Sequence, residues 1–266
     1  MNLKRVLAIY LRQFFLIYRN KSRLISIFYW SILDILLWGF ITRYLDSVGQ
    51  SEVNFLTVIL GAVILWNLLI RVQQGMTMAF LEDVWSRNFV NLFASPLRIS
   101  EYVLGIVLVG ITTSIMALIG LAIVAWLAFA YNIFSLGLYL VPFIFIIFLF
   151  GLALGMINTA VVFRFGPAAE WLAWAIPFLF TPFAGIFYPI SALPLALQPI
   201  AKLVPPSYAF EGMRSVLTTG TLSMESLFTG ILIAALYLVL AYWFLLWIYR
   251  IVVKNGLLAR FTAEIG

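Results

Sequence analysis

The chain contains no cysteine and no histidine. The first absence excludes disulfides, thiolate metal sites and cysteine nucleophiles. The second removes the commonest general base and the commonest metal ligand. Charge is scarce as well: Asp, Glu, Lys and Arg supply 10% of 266 residues, where soluble domains carry about 25%. A water-soluble chain of this size needs polar side chains to cover its surface, and these are too few. No GxxxxGK[ST] loop occurs, so the chain does not by itself cradle nucleotide phosphates. Paired carboxylates, a serine–histidine pair and metal-ligand clusters are also missing from the loops.

What is present is apolar. Hydrophobic residues make up 65% of the chain and mean hydropathy is +1.11, so the chain must be solvated by lipid. A membrane helix needs about 20 mostly apolar residues to cross roughly 30 Å of hydrocarbon. Six stretches qualify, at residues 24–42, 55–80, 102–130, 138–163, 171–187 and 228–248. The runs are continuous and lack period-two alternation, which excludes barrel strands. The expected fold is therefore an all-α membrane protein with six transmembrane helices in one domain, residues 1–266. The first stretch contains Asp34 and no small-residue cleavage site follows it, so it is read as a retained helix and not a signal peptide.

The net charge of +6 is explained by where the basic residues fall. With six spans and both ends on one side, that side carries Lys4, Arg5, Arg12, Arg19, Lys21, Arg23, Arg87, Arg98, Arg164, Arg250, Lys254 and Arg260. The other side has Arg43, Lys202 and Arg214, and Arg71 lies within the second span. The positive-inside rule then puts both termini in the cytoplasm, and nucleic-acid binding is not needed to account for the charge.

Before the first span, residues 1–23 place Leu3, Val6, Leu7, Tyr10, Phe14, Ile17 and Tyr18 at helical spacing, with Arg5, Arg12 and Arg19 on another face. This predicts an amphipathic helix in the membrane interface, its apolar side in the acyl boundary and its arginines among the headgroups.

Two loops are unusual. Residues 81–101 hold Glu82, Asp83 and Arg87, then Phe89, Leu92 and Phe93 on one helical face, and Pro96 as a stop. A short amphipathic helix with aromatics at its tip suits a docking surface for a soluble partner, or a helix lying flat on the membrane. Residues 188–227 follow a fifth span interrupted by Pro177 and Pro182. Their apolar face of Leu193, Leu197, Ile200 and Val204 predicts a helix from Pro194 to just before Pro205-Pro206, within an external re-entrant hairpin.

Intramembrane polar residues are the other candidates. Asp34 and Arg71 count to similar depth from the cytoplasmic ends of their spans. An Asp34–Arg71 pair is one option. The other is that Arg71 extends to the surface while Ser31 or backbone meets Asp34. Asn67, Gln73, Gln74 and Asn158 are expected to bridge helices.

The run GIFYPISALPLALQPIAKLVPPSYAFEGMR, residues 185–214, resembles the signature before the last span of the ABC-2 family of ATP-binding-cassette transporter permeases. Gly185, Phe187, Pro189, Leu193, Pro194, Leu197, Gln198, Pro205, Tyr208, Glu211, Gly212 and Arg214 occupy its places. The segment LFASPL, residues 92–97, resembles the stretch after the family's coupling helix. Val84-Trp85-Ser86 stands where that family usually has a Gly-Thr pair.

The resemblance implies that two permease chains, expected to be a homodimer, pack together in a bacterial inner membrane. Cytoplasmic ATPase subunits, which bind ATP and Mg, dock on them and drive export. It makes Glu82, Asp83, Arg87, Phe89 and Leu92 the coupling residues. It also assigns Pro189, Pro194, Pro205, Tyr208, Glu211 and Arg214 to the external re-entrant region. No cofactor is expected in the chain itself, and no catalytic activity. The expected cargo is amphipathic or lipid-linked, either a glycan lipid or a hydrophobic drug-like molecule. An ion-coupled secondary carrier is the alternative. It calls for an internal repeat and embedded titratable groups, and the chain offers no repeat and only Asp34. An intramembrane enzyme lacks its histidines and carboxylates, and a plain anchor has no use for mid-span prolines.

Overall fold

The computed structural model describes residues 1–48, 55–86, 88, 91–92 and 95–257. Among them every regular element is helical: α1 (Leu3–Arg19), α2 (Lys21–Val48), α3 (Phe55–Trp85), α4 (Ile99–Phe129), α5 (Leu140–Phe165), α6 (Leu172–Phe180), α7 (Gln198–Lys202), α8 (Pro206–Thr219) and α9 (Met224–Lys254), with short 3-10 turns between some of them. Four of the described helices are long and apolar enough to cross a membrane: Leu56–Trp85, Ile99–Phe129, Ile133–Phe165 and Met224–Lys254. At about 1.5 Å per residue each exceeds 40 Å, more than the roughly 30 Å of a hydrocarbon core. The chain is a multi-pass membrane protein. α2 has 28 residues but is more polar, with Asp34 near its middle.

α3 sits at the centre, packed between α4 and α5, with α2 against it as well. A helix that is apolar all round belongs in the interior, and Leu60, Leu65, Leu69, Val72, Met76 and Phe80 of α3 are all fully buried. Lipid gives helices no hydrophobic reason to associate, so close approach must come from small residues. One turn of α3 supplies the example. A Cβ on Gly110 of α4 would lie 3.3 Å from the Val72 carbonyl oxygen, and one on Gly151 of α5 would lie 2.9 Å from Val72 Cβ. Gly155, a turn further along α5, is as close to Met76. α9 joins the bundle against α5 through Ala234, Ala241, Leu245, Ile248 and Val252, while Leu232, Leu236, Val239, Trp243 and Trp247 face outward.

α1 and the ends of α3, α5 and α9 lie at one end of the bundle, here the basal end. There Trp85 donates to Glu170 at 3.0 Å and Phe163 meets Tyr249. Residues 181–223 and the start of α9 form the distal end.

Three expectations are corrected. α1 forms as its periodicity predicts, capped by the Asn2 side chain, but its arginines do not all turn outward. Arg5 and Arg12 point into the protein, because buried carboxylates on α4 and α3 await them. The fifth apolar stretch, 171–187, is helical only over the nine residues of α6, which accommodates Pro177, and continues as turns where Pro182 lacks the backbone donor that a longer helix requires. The helix expected from Pro194 is shorter, too. The Pro194 carbonyl accepts from the Leu197 and Gln198 amides in a turn, so that α7 spans five residues. Pro205-Pro206 opens α8 as well as closing what precedes it. First-turn amides have no acceptor within the helix, so proline costs nothing there.

Candidate functional site

A cavity of about 790 Å³ lies between α2, α3 and α6. Its walls are aromatic: Trp30 and Trp38 of α2, Trp66 of α3, Trp174 and Phe178 of α6, and Phe187. Trp38 stacks on Phe187 at 4.1 Å, joining two of these walls. The polar groups are few. Asp34 accepts from Asn67 Nδ2 at 2.7 Å, and Arg71 Nε donates to Ser31 Oγ at 3.1 Å. Two rungs thus tie α2 to α3. The Asp34–Arg71 ion pair is not formed: depth matches, but each partner is taken by a neighbour one turn away. A second, narrower chamber of about 260 Å³ shares Trp30, Arg71, Gln74 and Trp174 with the first and reaches Glu82 and Trp85 at the basal end. Glu82 in turn borders an open basic recess lined by Arg12, Arg19 and Lys21.

The basal end is held by a buried carboxylate. Asp83 accepts from Arg12, from Gln13 Nε2 at 3.0 Å and from Tyr102 Oη at 2.8 Å. Gln13 also donates to the Ala79 carbonyl at 2.9 Å. One side chain thereby joins α1, α3 and α4, and a buried charge with three donors is a satisfied one. Close by, Glu101 accepts from the Asn2 and Arg98 amides at 2.6 and 3.1 Å and meets Arg5 at 3.5 Å. Arg5 also donates to the Pro96 carbonyl.

The distal end has its own clasp. Glu211 Oε1 accepts from the Ile190 amide at 2.7 Å and from Arg214 Nη1 at 2.9 Å, while Arg214 Nη2 donates to the Gly185 carbonyl at 2.9 Å. Gly185 has φ +70°, a conformation that disfavours any side chain. Gln198 donates to the Leu193 carbonyl and Tyr208 to the Lys202 carbonyl, at 3.0 and 2.9 Å. Pro189 caps a 3-10 turn, and a Cβ on Gly212 would come within 2.8 Å of Phe143. The signature of residues 185–214 is thus a set of straps on one folded segment.

A family model for the ABC-2 type transporter matches residues 4–218. The chain belongs to the ABC-2 type transporter family. No curated protein matches it. As an ABC-2 permease it is the membrane subunit of a transporter. The match takes in α1, the cavity, the Asp83 junction and all of the distal clasp.

Within this permease the candidate coupling residues are dispersed. Asp83 is fully buried, so any influence it has on a docking partner passes through α1, α3 and α4. Glu82, its neighbour in sequence, turns instead to the cavity mouth. Leu92 is half-buried and packs on the core. Arg87 and Phe89 lie outside the described residues. Among the bridging residues, Asn67 reaches across to Asp34, and Asn158 of α5 approaches Thr77 of α3 at 3.5 Å. Gln73 donates to Thr77 of its own helix, and Gln74 lines the cavity. Sequence reasoning missed Gln13, Trp30, Tyr102 and Trp174, each of which looks like ordinary packing in an apolar helix.

Proposed function

We propose that this ABC-2 permease exports an amphipathic or lipid-linked molecule, a glycan lipid or a hydrophobic compound, with ATP hydrolysed by separate subunits at its basal end. In this reading the basal end is cytoplasmic, the chain crosses a bacterial inner membrane six times with α2 and the α6 region as the remaining crossings, and two copies pack together. Basic residues concentrated at the basal end support that orientation. The observation that carries the proposal is the tryptophan-lined cavity. It combines apolar walls with a few fixed polar groups, as binding sites for amphipathic molecules do, and it reaches by way of Glu82 to the loop expected to dock the ATPase.

The ion-coupled alternative has less to work with. The carboxylate at mid-cavity, Asp34, is held by Asn67, and the chain offers no internal repeat. The test is co-expression with an ABC ATPase. The permease is expected to co-purify with it and to stimulate its hydrolysis, and Leu92→Asp or Phe89→Asp is expected to abolish the stimulation. Movement of cargo by the permease alone along a proton gradient would replace this reading with the secondary carrier.

A further inference from the structure

Among the described residues Arg71 has no ion-pair partner in the cavity, and Asp34, the other charged group there, is met by the neutral Asn67. The Nε of Arg71 is used by Ser31. Its terminal nitrogens have no acceptor among the described residues, and the side chain lines both chambers. Asp34, one turn from Ser31 on α2, is engaged by Asn67 instead. An arginine midway along a membrane helix is costly unless something answers its charge, and its guanidinium remains protonated. The fork of terminal N–H donors matches a phosphate, sulfate or carboxylate, which it can bind through two hydrogen bonds at once. Beside it Trp30 and Trp174 offer flat apolar surface for an alkyl chain or a ring. The basic recess of Arg19 and Lys21 lies below the narrower chamber, with Glu82 between as the acidic exception.

We propose that Arg71 is the headgroup subsite of this cavity and that the cargo is an anionic amphiphile, held with its phosphate or carboxylate on Arg71 and its apolar part among the tryptophans. The proposal rests on the export reading, because it names the cargo of the same cavity. The phosphate-bearing end travels from the basic recess past Glu82 to Arg71. Asp34 and Asn67 lie one turn beyond on the distal side and complete the polar lining.

The test is quenching of tryptophan fluorescence in the full-length permease, placed in nanodiscs of zwitterionic lipid without any ATPase. Three bromine-tagged probes with the same sixteen-carbon tail (a count chosen for the probe, about the length of a membrane acyl chain) carry a phosphate, a glucoside or a trimethylammonium headgroup. The phosphate probe is expected to bind about tenfold tighter than the glucoside, as a charge-assisted contact implies. Arg71→Gln should erase that preference while the glucoside still binds, which also shows that the cavity has folded. Arg71→Lys should keep the preference in part. If Arg71→Gln binds neither probe, the lysine variant decides. A phosphate preference unchanged by Arg71→Gln or absent from Arg71→Lys would overturn the assignment. Tighter binding of the ammonium probe would overturn it too, in favour of Asp34. Added phosphatidylglycerol that displaces the phosphate probe mole for mole would show a resident bilayer lipid in place of cargo. Because binding is read without nucleotide, loss of ATP-driven transport leaves this result standing, and loss of the charge preference leaves the export reading standing.

Discussion

The distal clasp and the basal junction are built from the same ingredients, a carboxylate, an arginine and backbone groups, but in different surroundings and over different distances along the chain. Glu211 keeps 36% of its side chain exposed, and its partners lie three residues on and on a loop shortly before it. Asp83 has none exposed, and two of its donors are Arg12 and Gln13, some seventy residues away. The clasp folds one segment upon itself. The junction fastens α1 to the body of the permease. A polar contact open to water contributes little net stability, whereas breaking a buried one leaves a charge with no compensation.

That difference sets the scale of what mutation should do, and the first variant is the one most able to break it. Asp83→Ala strands Arg12 at the interior junction and is expected to cost about 3–5 kcal/mol. Denaturant unfolding in detergent and faster proteolysis within residues 1–20 would report it. Equal stability losses in Asp83→Ala and Glu211→Ala would erase the contrast between the two ends. Glu211→Ala is expected to cost about 1–3 kcal/mol, since it orphans the Ile190 amide and frees Arg214 but leaves both within reach of water. Gly185→Ala tests whether the clasp depends on backbone shape. A Cβ there finds its nearest neighbour at 3.5 Å, so only the positive φ opposes it, at roughly 1–2 kcal/mol. Arg5→Ala sharpens the basal side. Its contact with Glu101 is long, and Arg5 is 38% exposed, so a loss of no more than about 1 kcal/mol is expected. The same unfolding measurement would rank all four.

The comparison also explains what could be read in advance. The segment that carries the clasp is legible because its signature residues fall at fixed spacing within thirty positions, although the bonds of Glu211 and Arg214 to Ile190 and Gly185 are not. A contact between Arg12 and Asp83 leaves no spacing to recognise. Glu82 and Asp83 show the same limit at close range. They are adjacent and alike in charge, and both were candidates for one docking surface. Yet neighbours on a helix point about 100° apart, and so Asp83 enters the three-helix junction while Glu82 borders the cavity.

The sequence by itself determined that lipid is the solvent, that the structure is helical, and that residues 185–214 carry the signature of an ABC-2 permease. Composition, run length and local spacing are one-dimensional quantities, and they survive without coordinates. Only the tertiary structure decided how each helix is rotated about its axis. Counting residues placed Asp34 and Arg71 at one depth, but rotation gave Asp34 to Asn67 and Arg71 to Ser31, and left an arginine facing a tryptophan-lined cavity. Depth follows from the rise per residue, while the direction a side chain faces depends on the packing of every neighbouring helix.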